Sequence, residues 1–443
     1  MPRPVIRGPK LRKKVIDMTS NPLSDIAQWK SKPGPNGIPS ICSAHPTVIE
    51  ASMRHARKDG GLLLVEATCN QVNQDGGYTG MTPADFRAFA EGIAARVGFP
   101  VERLILGGDH LGPNPWKSLS ADEAMEKARI MIDAFARAGF TKLHLDTSMG
   151  CAGEPAALPD AITAERAASL AAVAEKAVTE TGGMKPVYII GTEVPIPGGA
   201  MEELDVLEVT HANAALATVR IHEKAFADLG LTDAFSRAIA AVVQPGVEFG
   251  NENVIAYDPA AAKSLSATLA QMPAFVFEAH STDYQTRAAL TALVNDGFAI
   301  LKVGPGLTFT LREAFYGLDR IADFLFAGKR DATLIETMEK ALTEKPGNWE
   351  KYYHGDGAEQ HVQRHFSYSD RIRYYWPQPE VSAAVETLFD LLDGVEIPET
   401  MISQYLAALY PRVRAGEVRP FAGDLAIAAV DAVLEDYFAA CRG

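Results

Sequence analysis

The chain is short of the residues from which several common functions are built. Only four cysteines occur in 443 residues, Cys42, Cys69, Cys151 and Cys441, and no two share a paired spacing. That excludes a disulfide framework and a thiolate zinc site, and a reducing cytoplasm is the compartment it fits. Long apolar runs are missing too: none approaches the roughly 18 residues that suggest a membrane span. Basic residues are outnumbered, 42 Lys and Arg against 56 Asp and Glu, for a net charge of -14 without an acidic block or a basic stripe. Such a surface suits a soluble protein and argues against nucleic acid as a partner. No glycine-rich dinucleotide turn follows the first strand-like segment, and no glycine loop leads into a Lys-Ser/Thr pair for ATP phosphates.

What is present is a repeating β/α rhythm. The first residues, Met1 to Lys14, are basic with no apolar signal core behind them, and 1–36 reads as a surface arm. After the entry Lys32-Pro33-Gly34-Pro35, short apolar strands are expected at about 38–43, 61–67, 104–110, 142–147, 186–193, 238–244, 274–280 and 299–303. Helical periods separate them, clearest at 82–97, 121–138, 162–180 and 284–295, with Thr82-Pro83 and Ser120 as helix starts. Eight parallel strands predict an α/β fold, a TIM-like (β/α)8 barrel over 37–328; an open doubly wound sheet is the alternative. From about 329 the rhythm stops, and 329–443 is expected to be a helical C-terminal subdomain packed on the barrel.

The strand exits carry the chemistry. The strand Leu104-Ile105-Leu106-Gly107-Gly108 ends on Asp109 and His110, and every other strand also ends on polar groups, among them Glu66, Asp146, Glu193, Gln244, Glu278, His280 and Lys302. Buried strands rarely end repeatedly on acids and imidazoles, and in a barrel this rim is where active sites sit. Two imidazoles among carboxylates suit a divalent metal, zinc first, with His110 and His280 as ligands. Glu193 and Asp146 are the candidates for a third ligand, or one of them orients a histidine from outside, and Gln244 could add a neutral oxygen. Asp109 is then the candidate base and Glu66 a second acid or base; either could instead pair with Lys302, read as a charge stabiliser rather than a Schiff-base nucleophile. His45 reads as a helix-start residue, and His144 as a structural residue packed beneath Asp146.

Two loops complete the expected site. Gly304-Pro305-Gly306 follows the last strand and offers backbone amides to a phosphate, with Ser281 nearby to assist. The polar loop 71–78, through Asn73 and Gln74, could close over hydroxyl groups. Arg371, Arg373 and their aromatic neighbours cover the barrel or form a subunit contact.

The segments Cys42-Ser43-Ala44-His45-Pro46, Glu66-Ala67-Thr68, Gly76-Gly77-Tyr78-Thr79-Gly80-Met81-Thr82-Pro83, Gly107-Gly108-Asp109-His110-Leu111-Gly112-Pro113-Asn114, Gly191-Thr192-Glu193-Val194-Pro195, Glu278-Ala279-His280-Ser281-Thr282-Asp283-Tyr284 and Asp370-Arg371-Ile372-Arg373-Tyr374-Tyr375-Trp376-Pro377 together resemble the tagatose-bisphosphate aldolase accessory-subunit family. The resemblance runs from about Ile41 to near the C-terminus. It implies a TIM-like barrel and a place in galactitol or tagatose breakdown, with a phosphorylated ketohexose as substrate. Members are described as non-catalytic partners of a class II aldolase, as tagatose-6-phosphate kinases, or as tagatose-6-phosphate 4-epimerases. The kinase description lacks its phosphate loop here. The 4-epimerase description fits the residues: C4 of a 2-ketose is too far from the carbonyl for simple enolisation, so a metal-assisted retro-aldol cleavage and re-addition is expected. Asp109-His110 resembles the Asp-His pair of class II aldolases and His280 a later histidine ligand. Gln244 departs from the pattern where another histidine is expected, and Glu193 is the candidate replacement. An aldolase subunit and a second copy of the chain are the protein partners considered.

Overall fold

The computed structural model describes residues 20–191 and 207–442. Eight parallel strands close into a barrel: β1 (Ile38–Ile41), β2 (Leu63–Thr68), β3 (Leu104–Leu111), β4 (Lys142–Leu145), β5 (Val187–Ile190), β6 (Ala238–Val242), β7 (Val276–Ala279) and β8 (Phe298–Val303), each bonded to the next and β8 back to β1. Their side chains are almost all buried, which is why they read as continuous aliphatic runs. The expected α/β barrel is thus the observed fold. A two-stranded ribbon, Glu248–Phe249 with Val254–Ile255, adds an excursion after β6 that the hydrophobic pattern does not announce.

The helices of the wall follow the strands: α1 (Pro46–Asp59), α2 (Pro83–Val97), α3 (Ala121–Arg137), α4 (Asp160–Thr181), α5 (Ala212–Asp228), α6 (Pro259–Ser266), α7 (Arg287–Asn295) and α8 (Pro305–Leu325). Thr82 and Ser120 close reciprocal capping boxes with Asp85 and Glu123, as their placement before α2 and α3 suggests. Helix α7 begins three residues later than its hydrophobic period implies. Ser281 and Tyr284 have φ of 51° and 65°, and Thr286 is the residue whose hydroxyl caps the helix.

Beyond α8 come α9 (Leu334–Glu344), α10 (Gly357–Phe366), α11 (Pro379–Leu391), α12 (Glu399–Tyr405), α13 (Tyr410–Arg414) and α14 (Ala422–Arg442). The last of these packs against α1, α7, α8 and β1, and the Cys441 carbonyl accepts from the Asn36 and Gly37 amides. The C-terminal helix therefore closes the wall where β8 meets β1. Among the described residues no helix is long and apolar enough to cross a membrane. The basic stretch from Met1 to Lys14 lies outside the described residues.

Inside the barrel, period-two alternation stacks the inward side chains in layers. The floor is aliphatic: Ile38, Leu64, Ile105, Val187, Ile189, Val276 and Ile300 cluster with Leu23 and Ile26 from the residues preceding β1. Two positions further along their strands stand Ser40, Glu66, Glu278 and Lys302, joined by Lys142 from β4. Two positions further again, Asp109, His144 and His280 reach the mouth. This spacing converts a sequence alternation into depth.

Candidate active site

The middle layer is a buried ion network. Lys142 is fully buried, its Nζ 2.6 Å from Glu66 Oε1 and 2.7 Å from Glu278 Oε2. Lys302 Nζ stands 2.9 Å from Glu66 Oε2 and 2.9 Å from Asp109 Oδ1, and Ser40 Oγ donates to Glu66 Oε1 at 2.6 Å. The glycine at 107 is required by this layer, because a Cβ there would lie 2.7 Å from Glu66 Cγ. Glu66, read as a second acid or base, is sealed beneath the mouth with both oxygens engaged. There it bridges the two lysines, the pairing with Lys302 that was the alternative reading of this residue.

Above the network, Asp109, His110, His144 and His280 each place one ligating atom within 4.8 Å of all the others. Successive residues of a strand normally face opposite ways, yet Asp109 and His110 share the site. His110 has φ of 48°, and the ladder from β3 to β4 shifts register between Gly108 and Leu111. A left-handed non-glycine residue costs on the order of 1 kcal/mol, and such strain gathers at functional sites.

Each imidazole is fixed from outside the cluster. His110 Nδ1 donates to Asp146 Oδ2 at 2.8 Å, His144 Nε2 to the Gly191 carbonyl at 3.0 Å, and His280 Nε2 to Glu278 Oε1 at 3.1 Å. These bonds leave His110 Nε2, His144 Nδ1 and His280 Nδ1 as the nitrogens with lone pairs. His144 Nδ1 accepts from the His110 amide at 3.2 Å and lies 3.0 Å from Asp109 Oδ1. Without a cation the His110 amide takes that lone pair, and a ring nitrogen 3.0 Å from a carboxylate oxygen calls for a proton or a cation between them. Three imidazoles oriented by two carboxylates and a carbonyl are a donor set that fits a divalent metal, so the cluster could hold one.

His144 is the member that sequence reasoning set aside. Its signal was present, since it shares a face with Asp146 and lies one layer above Lys142. Asp146, weighed as a ligand, a substrate contact or an orienting group, bonds His110 Nδ1, the orienting arrangement. Glu193, expected as a ligand, lies outside the described residues.

The electrostatics follow from this packing. Burial opposes ionisation of Asp109, but Lys302 and His110 hold its carboxyl well below the usual carboxylate range. Burial likewise opposes charge on Lys302, and Asp109 keeps its ammonium well above its ordinary value. Burial pushes His280 down to about 3, against the pull of Glu278. His110 goes the other way: burial would lower it, but Asp109 and Asp146 carry it to about 9 from an ordinary 6.5. Protonated His110 thus stabilises the cation-free fold fully below pH 6.5, and this contribution disappears as pH rises through about 9. The cation-free protein is expected to lose thermal stability across that window, and His110→Gln to flatten the slope; equal slopes in the two proteins would contradict the assignment.

The expected substrate contacts separate into engaged and available groups. Asn73 donates to the Cys69 carbonyl and accepts from the Asp75 and Gly77 amides, so it shapes its own loop. Gln74 Nε2 donates to the Lys127 carbonyl at 3.2 Å. Gln244 Oε1 accepts from the Gly246 and Val247 amides, which engages it away from the cluster and leaves Nε2 as a buried donor without a partner among the described residues. The Gly304 and Gly306 amides both donate to Asp283 Oδ1, at 2.9 and 2.7 Å, so a carboxylate already occupies the turn expected to hold phosphate. Ser281 Oγ, by contrast, is buried without a hydrogen-bond partner among the described residues. His45 caps α1, its Nδ1 accepting from Thr47, and the Cys42 thiol is pushed up to about 12 by burial.

A closed parallel barrel thus carries at its mouth a histidine-aspartate cluster that could hold a divalent metal. Residues 23–442 match the family described as D-tagatose-1,6-bisphosphate aldolase subunit GatZ/KbaZ-like, and the chain belongs to that family. It is 57% identical over 418 residues to the D-tagatose 6-phosphate 4-epimerase of Agrobacterium fabrum, covering 94% of this chain and 98% of that one. It is 48% identical over 405 residues to the D-tagatose-1,6-bisphosphate aldolase subunit GatZ of Salmonella enteritidis, covering 91% of this chain and 96% of that one. The crystal structure of a probable tagatose 6 phosphate kinase from Sinorhizobium meliloti 1021 superposes with a TM-score of 0.86 at 66% identity, covering 91% of this chain and 100% of that one.

Proposed function

We propose that this chain is a metal-dependent 4-epimerase of the cytoplasm, interconverting D-tagatose 6-phosphate and D-fructose 6-phosphate by retro-aldol cleavage and re-addition. The observation that carries the reading is the convergence of three outwardly anchored imidazoles beside an ionised aspartate. The 57% identity to a 4-epimerase supports the substrate.

A divalent cation bound by His110, His144 and His280, zinc first by donor chemistry, would supply Lewis acidity at the ketose C2 carbonyl. Asp109 stands at the cluster's edge, its Oδ2 3.8 Å from His110 Nε2, and takes the proton from O4. The O4 lone pair then forms the aldehyde as the C3–C4 bond breaks, leaving the electron pair on a three-carbon enediolate. The aldehyde presents its other face, C3 attacks C4, and O4 recovers its proton from Asp109. Lys302, bonded to the other oxygen of Asp109, keeps that carboxylate ionised between turnovers. Neither Lys302 nor Glu66 is required to touch the sugar. Gln244 Nε2 remains as a donor for a substrate hydroxyl.

The test is NMR of tagatose 6-phosphate with the purified chain alone, after chelation and then after zinc. Fructose 6-phosphate is expected only with metal. The 48% identity to an aldolase subunit favours a second reading, a stabilising partner of a class II aldolase. No turnover with any metal, together with a rise in the activity of an added aldolase, would establish that role instead.

A further inference from the structure

The glycine turn after β8 is filled by Asp283, so a phosphorylated ligand must be read by another group. A strap of chain between α10 and α11 crosses the mouth and is fastened to three rim loops. Asp370 Oδ2 accepts from Thr308 Oγ1 at 2.5 Å beyond β8. The Tyr368 carbonyl accepts from Tyr284 Oη at 2.7 Å beyond β7, and the Tyr374 ring lies 4.8 Å from that of Tyr78 beyond β2. Arg373 sits within this strap, half-buried.

Its guanidinium contacts are all neutral: the carbonyls of Ser369 and Asp370 and the Tyr374 hydroxyl, with the Tyr374 ring 4.6 Å away. Among the described residues no carboxylate lies within 4 Å of it, whereas Arg312, also on the barrel's C-terminal side, faces Asp370 at 3.7 Å. The Asp370 and Asp283 carboxylates feel its charge from further out, but a partly desolvated guanidinium whose hydrogen bonds go only to neutral acceptors retains the capacity to bind an anion directly. Its field is felt around it. Burial should raise the Tyr374 phenol, yet Arg373 and Arg371 pull it below its ordinary value. On the loop beyond β7, which Tyr284 ties to this strap, Ser281 Oγ directly after His280 is buried and finds no hydrogen-bond partner among the described residues.

We propose that Arg373, assisted by the Ser281 hydroxyl of the tethered β7 loop, forms the subsite for a phosphate monoester at the mouth. The proposal rests on the sugar-phosphate reading of the substrate, but its first readout does not depend on turnover. A cation at the histidines would grip the carbonyl end of the sugar, and the strap would grip the other end. Discrimination between phosphorylated and free ketoses then falls to a residue outside the eight strands.

The test uses the metal-loaded full chain with inorganic phosphate as probe, followed by calorimetry, and compares it with Arg373→Met and Arg373→Lys. Loss of a charged hydrogen-bonding group is expected to weaken phosphate binding on the order of 10- to 100-fold in R373M, and less in R373K, which keeps the charge. The KM for tagatose 6-phosphate is expected to rise by a similar factor, with bound metal unchanged and no change in KM for unphosphorylated tagatose. If R373M does not fold, the several-fold weakening in R373K carries the test. Phosphate binding in which the variants equal the parent, or no binding by the parent, overturns the subsite. Phosphate binding that depends on Arg373 in a chain with no epimerase turnover would uphold the subsite while sinking the 4-epimerase reading.

Discussion

His144→Ala is expected to abolish tight metal binding and to lower turnover of tagatose 6-phosphate by about three orders of magnitude, the scale on which loss of preorganised electrostatic stabilisation acts. The expectation comes from the direction of one hydrogen bond. Because Nε2 donates to the Gly191 carbonyl, Nδ1 is the nitrogen left facing Asp109 and the other two imidazoles. A packing histidine, as the sequence alone suggested, would behave differently when removed. It would leave an unsatisfied carbonyl and an aspartate short of one neighbour, a stability loss of about 1–3 kcal/mol with metal still bound. Metal content after dialysis, measured beside the unfolding midpoint, separates the two. A destabilised variant that keeps its metal and its turnover would return His144 to a packing role.

The rim was legible in the sequence because aliphatic strands ending on Asp109, His280 and Lys302 break the usual pattern of buried sheets. Depth along each strand was not. Glu66 and Asp109 both looked like rim acids, yet Gly107 leaves room for the Glu66 side chain to lie against β3 beneath the mouth. Lys142 was not among the expected site residues, because nothing local shows that two carboxylates on β2 and β7 converge on it. The same limit applied at the phosphate turn. Gly304 and Gly306 carry the composition of an anion site, but their occupant, Asp283, comes from a different loop. Local composition marked the strand ends as polar; only the barrel's closure decides how deep each group lies and which of them meet. Asp146 follows the last residue of β4, Leu145, and from there its carboxylate bonds the His110 ring.

The stability of that interior offers the other large effect. Lys142→Met is expected to destabilise the fold by about 3–5 kcal/mol, the cost of breaking a buried ion pair and leaving uncompensated charge. Five ionisable groups meet in the middle of the barrel and at its mouth: Glu66, Glu278 and Asp109 against Lys142 and Lys302. Without Lys142, three carboxylates share one ammonium in a space that water does not reach. Adding Glu66→Gln to Lys142→Met should then recover part of the loss, because one of the stranded charges is removed with little change of shape. Denaturant midpoints of the two single variants and the double variant form a cycle, and strict additivity would mean that the pair does not interact. The double variant also settles the work of Glu66. If its carboxylate only anchors lysines, the restored protein turns over with the pH profile of the parent. If it exchanges protons with substrate, the fold returns and turnover does not.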